Sequence, residues 1–311
     1  MKEKRRKDEI MGKIPHLVQY QGSKRILAPE IVKYIPKTAK RIIEPFAGTG
    51  AVSIFAAYQG ICGKFVLNDI NTPLIQMLEL CIEEPALLSR QYSEIWHGQF
   101  AENENNIDYF LKIRSEFNNG KCDAGRMLFL LARVVKGAVR YNAHGQMNQS
   151  CDKRRYGTKP DIIECNAFKI SKLLKGKTRF YNMDYKELLD MAETGDLVYL
   201  DPPYQGTSDK VNPRDNRYIQ GVGFEEFAEV LGELNDRGID YIVSYDGMTG
   251  DKKIGQTLPE YLNLKHMYIN AGTSAQATLN GKNETTYESL YLSSNLKEVT
   301  PEYMQLSLNL A

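Results

Sequence analysis

Two rhythms of apolar and polar residues divide the chain. Residues 41–46 form a short apolar run that predicts a buried strand, and Gly50 to Gln59, with Ala51, Ile54, Phe55 and Tyr58 at helical spacing, predicts a helix. Lys64 to Leu67 reads as a second strand ending at Asn68-Asp69, followed by a helix over Thr72 to Ile82 capped by Asn71 or Thr72. The rhythm returns late, with strands at Thr178 to Tyr181, Leu197 to Leu200 and Tyr241 to Ser244 and a helix over Phe224 to Leu234. Alternating strands and helices predict an α/β, doubly wound sheet. Between these halves, over residues 83–177, the pattern is helical apart from a polar, hairpin-like segment near 139–160 that holds Gly145 and Gly157. This stretch reads as an inserted, mainly helical domain within a sheet-forming domain of residues 14–82 and 178–298. Asn263 to Asn270 and Tyr287 to Ser293 predict an antiparallel finish to the sheet.

Composition narrows the class. The 311 residues are 42% hydrophobic and 25% charged, which excludes disorder and a disulfide-dense scaffold. No apolar stretch approaches the ~18 residues of a membrane helix, and the basic start, Lys2 to Lys7, is not followed by an apolar leader core, so a soluble cytoplasmic protein is expected. Cys62, Cys81, Cys122, Cys151 and Cys165 contain no C-x-x-C pair, and His16, His97, His144 and His266 lack metal-ligand spacing. No metal is expected. Charge, by contrast, is segregated: residues 133–179 hold 12 Lys/Arg against Asp152, Asp161 and Glu164, a net of +9 in a chain whose total is +1. Such a lobe suits a phosphate-backbone partner, and equally a solvated helical face.

Chemistry concentrates at two strand ends. Glu44-Pro45-Phe46-Ala47-Gly48-Thr49-Gly50 is a glycine-rich turn between strand and helix, and Asp69 stands at the end of the next strand, placed to bind ribose hydroxyls. Together they describe an adenosine pocket. A dinucleotide fingerprint would want glycine where Ser53 stands, which disfavours a hydride-transfer enzyme. The second site is Asp201-Pro202-Pro203-Tyr204, at the carboxyl end of the Leu197 to Leu200 strand, where open α/β sheets bind ligands. Two prolines stiffen that turn; the bland alternative is a strand stop with an incidental acid and aromatic.

With these motifs in order, the chain resembles the Dam-type DNA adenine-N6 methyltransferases over nearly its whole length. Tyr20-Gln21-Gly22-Ser23-Lys24 resembles the family's opening cofactor motif, Phe46 to Gly50 its glycine-rich motif, and Asn68-Asp69-Ile70-Asn71 its ribose-binding segment. Asp184 resembles the acid near the cofactor adenine, Asp201 to Tyr204 the catalytic tetrapeptide, and Arg140 to Asn148 part of the DNA-recognition region. Tyr20 and Ser23 stand where relatives commonly have tryptophan and glycine, and Met147 where they often have phenylalanine.

The resemblance implies a Rossmann-like S-adenosyl-L-methionine-dependent sheet with a target-recognition insert at residues 83–177, acting on double-stranded DNA as a monomer. It implies cofactor contacts from Tyr20, Lys24, Phe46, Gly48, Gly50, Asp69, Ile70, Asp184 and Asp201. In the implied mechanism the Asp201 carboxylate and the Pro202 carbonyl accept the amine hydrogens of a flipped adenine, Pro203 holds the turn and Tyr204 stacks on the base. Lys153, Arg154 and Arg155 would hold phosphates, and Arg140, Tyr141, Asn142, His144 and Gln146 belong to the segment that reads the target. The family's biology admits a companion restriction endonuclease for the same site, or an orphan or phage-borne enzyme. Two alternatives stay open: N-methylation of RNA or of a protein glutamine, and a catalytically inactive DNA-binding scaffold.

Overall fold

A computed structural model of the protein describes residues 14–101, 105–142, 144–203, 222–249, 252–253, 255–273 and 285–296. The first half alternates as expected: β1 (Ile42–Glu44), α1 (Ala51–Tyr58), β2 (Phe65–Asn68) and α2 (Thr72–Glu83). Four helices follow, α3 (Pro85–Gly98), α4 (Asn106–Asn118), α5 (Ala124–Arg133) and α6 (Pro160–Leu174). The chain then re-enters the sheet through β3 (Thr178–Tyr181), α7 (Tyr185–Asp190), β4 (Leu197–Leu200), α8 (Phe224–Asp236) and β5 (Asp240–Thr249). It ends with the two-residue β6 (Lys252–Lys253), β7 (Lys265–Thr273) and β8 (Thr285–Leu292). Helix starts follow local chemistry. Proline stands at the first positions of α2, α3 and α6, and Asn105 and Asp123 cap α4 and α5 through their side chains.

The strands lie in the order β3-β2-β1-β4-β5-β8-β7, with β6 paired to β5. Pairing from β3 to β5 is parallel, whereas β8 runs antiparallel between β5 and β7. The doubly wound sheet and its antiparallel finish are therefore present. β5, β7 and β8 extend beyond the apolar runs that predicted them, because their outer halves, such as Asp246 to Thr249, are polar and carry no period to read.

Side chains alternate across the sheet. Ile42, Phe65 and Leu197 are register partners that enter one apolar cluster, and Ile43, Val66 and Val198 enter the other. The second cluster is covered by α7 and α8. The first continues without a break from the sheet through α1 and α2 into α3 to α6, and α6 packs against α1, α2 and α3. Phe110, Met127, Leu128, Phe129 and Ile170 are all fully buried in it, each worth about 2 kcal/mol relative to exposure. Among the described residues no helix is long and apolar enough to cross a membrane.

What this topology does for function is bring two loops together. The chain winds outward from β1 to β3 and then returns to lay β4 on the other side of β1, so the strand order reverses between β1 and β4. Loops leaving the carboxyl ends of those two strands diverge there and leave a crevice. The glycine-rich turn and Asp201 are those two loops.

Candidate active site

The turn after β1 is built for close approach. Gly48 and Gly50 have φ of 54° and 66°, a region that favours glycine, and a Cβ on Gly50 would press on Leu78 at 3.3 Å. The Gly48 N–H donates to Asp69 Oδ2 at 2.9 Å, and the Asn71 N–H donates to Asp69 Oδ1 at 2.9 Å. Asn68 fixes the base of this arrangement, donating through Nδ2 to the carbonyls of Pro45 and Met183 and accepting from the Met183 N–H. One buried amide thus ties together the ends of β1, β2 and β3. Asp69 is held with lone pairs left for ligand hydroxyls. Burial pushes its carboxyl up to about 6, against the opposing pull of its two backbone donors.

Glu44 ends β1 and is buried. Its Oε1 accepts from the Ser53 N–H at 2.6 Å, so a carboxylate from the strand satisfies the first turn of α1, whose N-cap, Gly50, has no side chain to do so. Burial pushes Glu44 up to about 7, with the Ser53 hydrogen bond opposing. Farther along the cleft, the Phe46 and Tyr185 rings stand 5.1 Å apart, and Asp184 caps α7 by accepting from the Lys186 N–H at 2.9 Å.

At the end of β4, Asp201 meets Lys24. The ammonium lies 2.8 Å from Asp201 Oδ1 and 2.9 Å from Glu288 Oε1, and donates to the Gly22 carbonyl at 3.2 Å. Burial alone would lower the Lys24 pKa, but Asp201 and Glu288 outweigh it and hold the ammonium well above its ordinary value. Burial raises Asp201, and Lys24 pulls it back toward the ionised form.

Tyr20, Lys24, Phe46, Gly48, Asp69, Ile70, Asp184, Asp201, Pro202 and Pro203 all line one cleft; Gly50 supports the turn from behind. Tyr204 lies outside the described residues. Two lining residues carry buried polar atoms without a protein partner, Asn71 Oδ1 and the Tyr185 hydroxyl, which suits a polar ligand. Sequence reasoning missed Glu44 as a buried acid and Glu288 altogether; it named Asn71 as a helix cap and within the ribose-binding segment, but not its hydrogen bond to Tyr141 in the cleft wall.

The polar segment forms a small hairpin, with antiparallel bridges between Tyr141 and Met147 and, at its base, between Val134 and Cys151. Asn142 Oδ1 accepts from the N–H groups of His144 and Gln146 and so closes its tip. Asn118 clamps the returning strand at Met147, accepting from its N–H and donating to its carbonyl, both at 2.9 Å. Arg140, His144 and Gln146 are exposed, and Asn142 is half-buried. Tyr141 points the other way: it is buried in the cleft wall, and its hydroxyl accepts from Asn71 Nδ2 at 2.7 Å. Lys153, Arg154 and Arg155 are exposed, whereas Arg133, counted in the same basic stretch, is fully buried and donates to the carbonyls of Arg155 and Asn106.

The family model for D12 class N6 adenine-specific DNA methyltransferases matches residues 20–299. The chain belongs to this family. A DNA N-6-adenine-methyltransferase of Escherichia phage P1 is 30% identical over 74% of the chain, a match spanning 30% of the phage protein. The retron Ec67 DNA adenine methylase of Escherichia coli is 28% identical over 83% of the chain and 84% of its own length. A type II methyltransferase of Lactococcus lactis subsp. cremoris is 24% identical over 85% of the chain and 91% of its own. Family membership accounts for the order of the motifs: the matched residues run from Tyr20 in the opening motif, through the glycine turn and Asp201, to the strand that carries Glu288.

Glu44 and Asp69 make the ligand-free methyltransferase sensitive to pH. Both pKa values are raised on folding, so their contribution to stability is complete below the unfolded carboxyl range, near 4, and is lost as pH rises through about 6 for Asp69 and about 7 for Glu44. The expected result is a lower thermal midpoint at pH 8 than at pH 5.5; Glu44→Gln should flatten that difference. Equal slopes for the two proteins in a melting series would contradict the assignment.

Proposed function

We propose that the chain transfers a methyl group from S-adenosyl-L-methionine to the N6 amine of an adenine flipped out of duplex DNA at a specific site. The observation that carries this reading is the meeting, in one cleft, of an adenosine-type pocket around Asp69 with an aspartate ion-paired at 2.8 Å to a buried lysine. In this reading Asp69 takes the ribose hydroxyls, Phe46, Ile70 and Asp184 take the adenine end, and the open backbone at Gly48 allows close approach. When bound, the cofactor supplies an electrophilic methyl group on a sulfonium.

The remaining work falls to the chain. An adenine amine is a poor nucleophile because its lone pair is delocalised into the ring. The Asp201 carboxylate and the Pro202 carbonyl would each accept one amine hydrogen, favouring a tetrahedral nitrogen with a localised lone pair. Both hydrogen bonds strengthen as positive charge develops on that nitrogen. Lys24 keeps Asp201 an acceptor, since a protonated carboxyl would offer one oxygen as a donor instead. A carboxylate is far too weak a base to deprotonate the neutral amine beforehand, so the proton leaves late. Tyr204 stacks on the flipped base and offsets part of the few kcal/mol that flipping costs.

Residues 83–177 serve target recognition and residues 14–82 with 178–298 serve catalysis. Lys153, Arg154 and Arg155 contact phosphates; Arg140, Asn142, His144 and Gln146 present base-reading side chains on the hairpin, and Tyr141 anchors that hairpin to the cofactor pocket through Asn71. The protein works as a monomer in the cytoplasm, and either protects its site from a companion restriction endonuclease or marks it independently.

Changing Lys153, Arg154 and Arg155 together to alanine should weaken duplex binding and reduce the slope of log K against log salt by about 2 to 3, since each phosphate contact contributes about 0.9. All three side chains are exposed, so the change leaves the core intact, and an unchanged slope would move the DNA face elsewhere. Transfer assays with RNA and with protein substrates run in parallel test the alternatives directly; label entering either in place of DNA would overturn this reading.

A further inference from the structure

Lys24 is shared. Its ammonium has three protons, and among the described residues the Gly22 carbonyl, Asp201 Oδ1 and Glu288 Oε1 stand within 3.2 Å of it. All three side chains are largely screened from solvent, with 7%, 18% and 11% of the side-chain surface of Lys24, Asp201 and Glu288 exposed.

Glu288 reaches this position through a break in the sheet. Along β8, Ser289 pairs with Tyr245 of β5 and Tyr287 pairs with Met248, so Asp246 and Gly247 together oppose the single residue Glu288. That is a β-bulge, a device that re-aims a side chain. Gly247 is required for it, since a Cβ there would overlap the Tyr287 carbonyl oxygen and lie 2.8 Å from Glu288 Cα. On its other side Glu288 stays in register with Ile269 of β7, which fixes its backbone.

We propose that Glu288 is a positioning residue for the transfer reaction: by sharing the Lys24 ammonium it orients Asp201 toward the reacting amine. The inference rests on the methyl-transfer reading above. With Glu288 present, Lys24 is satisfied on both sides, and Asp201 Oδ2 is left to meet the substrate.

The test is Glu288→Gln, which keeps shape and hydrogen bonding and removes one charge. Turnover should fall about 10-fold while KM for DNA and for the methyl donor stays within about twofold, the split expected when an interaction acts mainly in the transition state. Glu288→Asp should recover part of the loss. The acid limb of the kcat profile should move to lower pH, because Asp201 then has the ammonium to itself. Among the described residues, the other titratable groups facing Asp201 are Glu44 from β1 and Tyr199 from β4, and both are unchanged in the variant. A second readout needs no turnover: in protein carrying carbon-13-labelled aspartate, the Asp201 carboxyl should titrate at lower pH in Glu288→Gln than in wild type. An unchanged midpoint, or unchanged turnover with an unmoved acid limb in an active wild type, overturns the proposal. Wild-type protein that fails to methylate DNA contradicts the functional reading instead, and the titration still decides the role of Glu288.

Discussion

Asp201→Ala is expected to reduce methyl transfer by about 10³-fold or more while leaving affinity for cofactor and duplex DNA within a few-fold of wild type. In the proposed mechanism the variant removes the acceptor at the reacting amine, and losing one such electrostatic contact commonly costs ~10²–10³ in turnover. Loss of the second ligand to Lys24 adds to this. Binding survives because the adenosine pocket is built on other elements: Asp69 is fixed by Gly48 and Asn71, and Phe46 is packed on Tyr185. Single-turnover rates with saturating cofactor, alongside equilibrium binding of a cofactor analogue, make the comparison. Near-normal turnover would remove Asp201 from the mechanism.

Lys24→Met should produce the largest loss of stability among single changes in the cleft. It leaves Asp201 and Glu288, both largely buried, without their counter-ion, and breaking a buried pair by removing one partner costs about 3 kcal/mol or more. The loss has a pH signature. Without Lys24 both carboxyl groups have folded pKa values raised further above their unfolded ones, so the variant's deficit is greatest at neutral and alkaline pH. It shrinks as pH falls toward the unfolded carboxyl range and the groups take up protons. Denaturant unfolding at pH 5.5 and pH 8 reads this difference, and an equal deficit at both values would show that Lys24 contributes by packing alone.

Much of this site was legible in the sequence because its chemistry is local. The glycine turn, Asp69 and Asp201 each sit at the end of an apolar strand, and a parallel sheet brings such ends to one edge. Lys24 was reached only through family resemblance, since nothing in its own spacing places it beside Asp201. Glu288 was out of reach for a physical reason: its partner lies across the sheet, and its direction is set by a bulge at Gly247 that no periodicity records. Glu44 reads from sequence as the start of a turn, and only the fold shows it buried and capping α1. Arg133 marks the limit of counting charges along a chain, because a fully buried guanidinium that pins the carbonyls of Arg155 and Asn106 cannot contact a phosphate at the surface. Tyr141 gives the same lesson for the hairpin: within one short motif its neighbours are exposed while its hydroxyl reaches Asn71 in the cofactor cleft.

The measurement that tests the account most directly is incubation of wild-type protein and Asp201→Ala with methyl-labelled S-adenosyl-L-methionine and unmethylated genomic duplex DNA, followed by nucleoside analysis and mapping of the modified positions. Wild type should place label in N6-methyladenine at one short sequence, and the variant should place none. Label in any other nucleoside, or no label in DNA from a wild-type protein that binds the cofactor, would contradict the account.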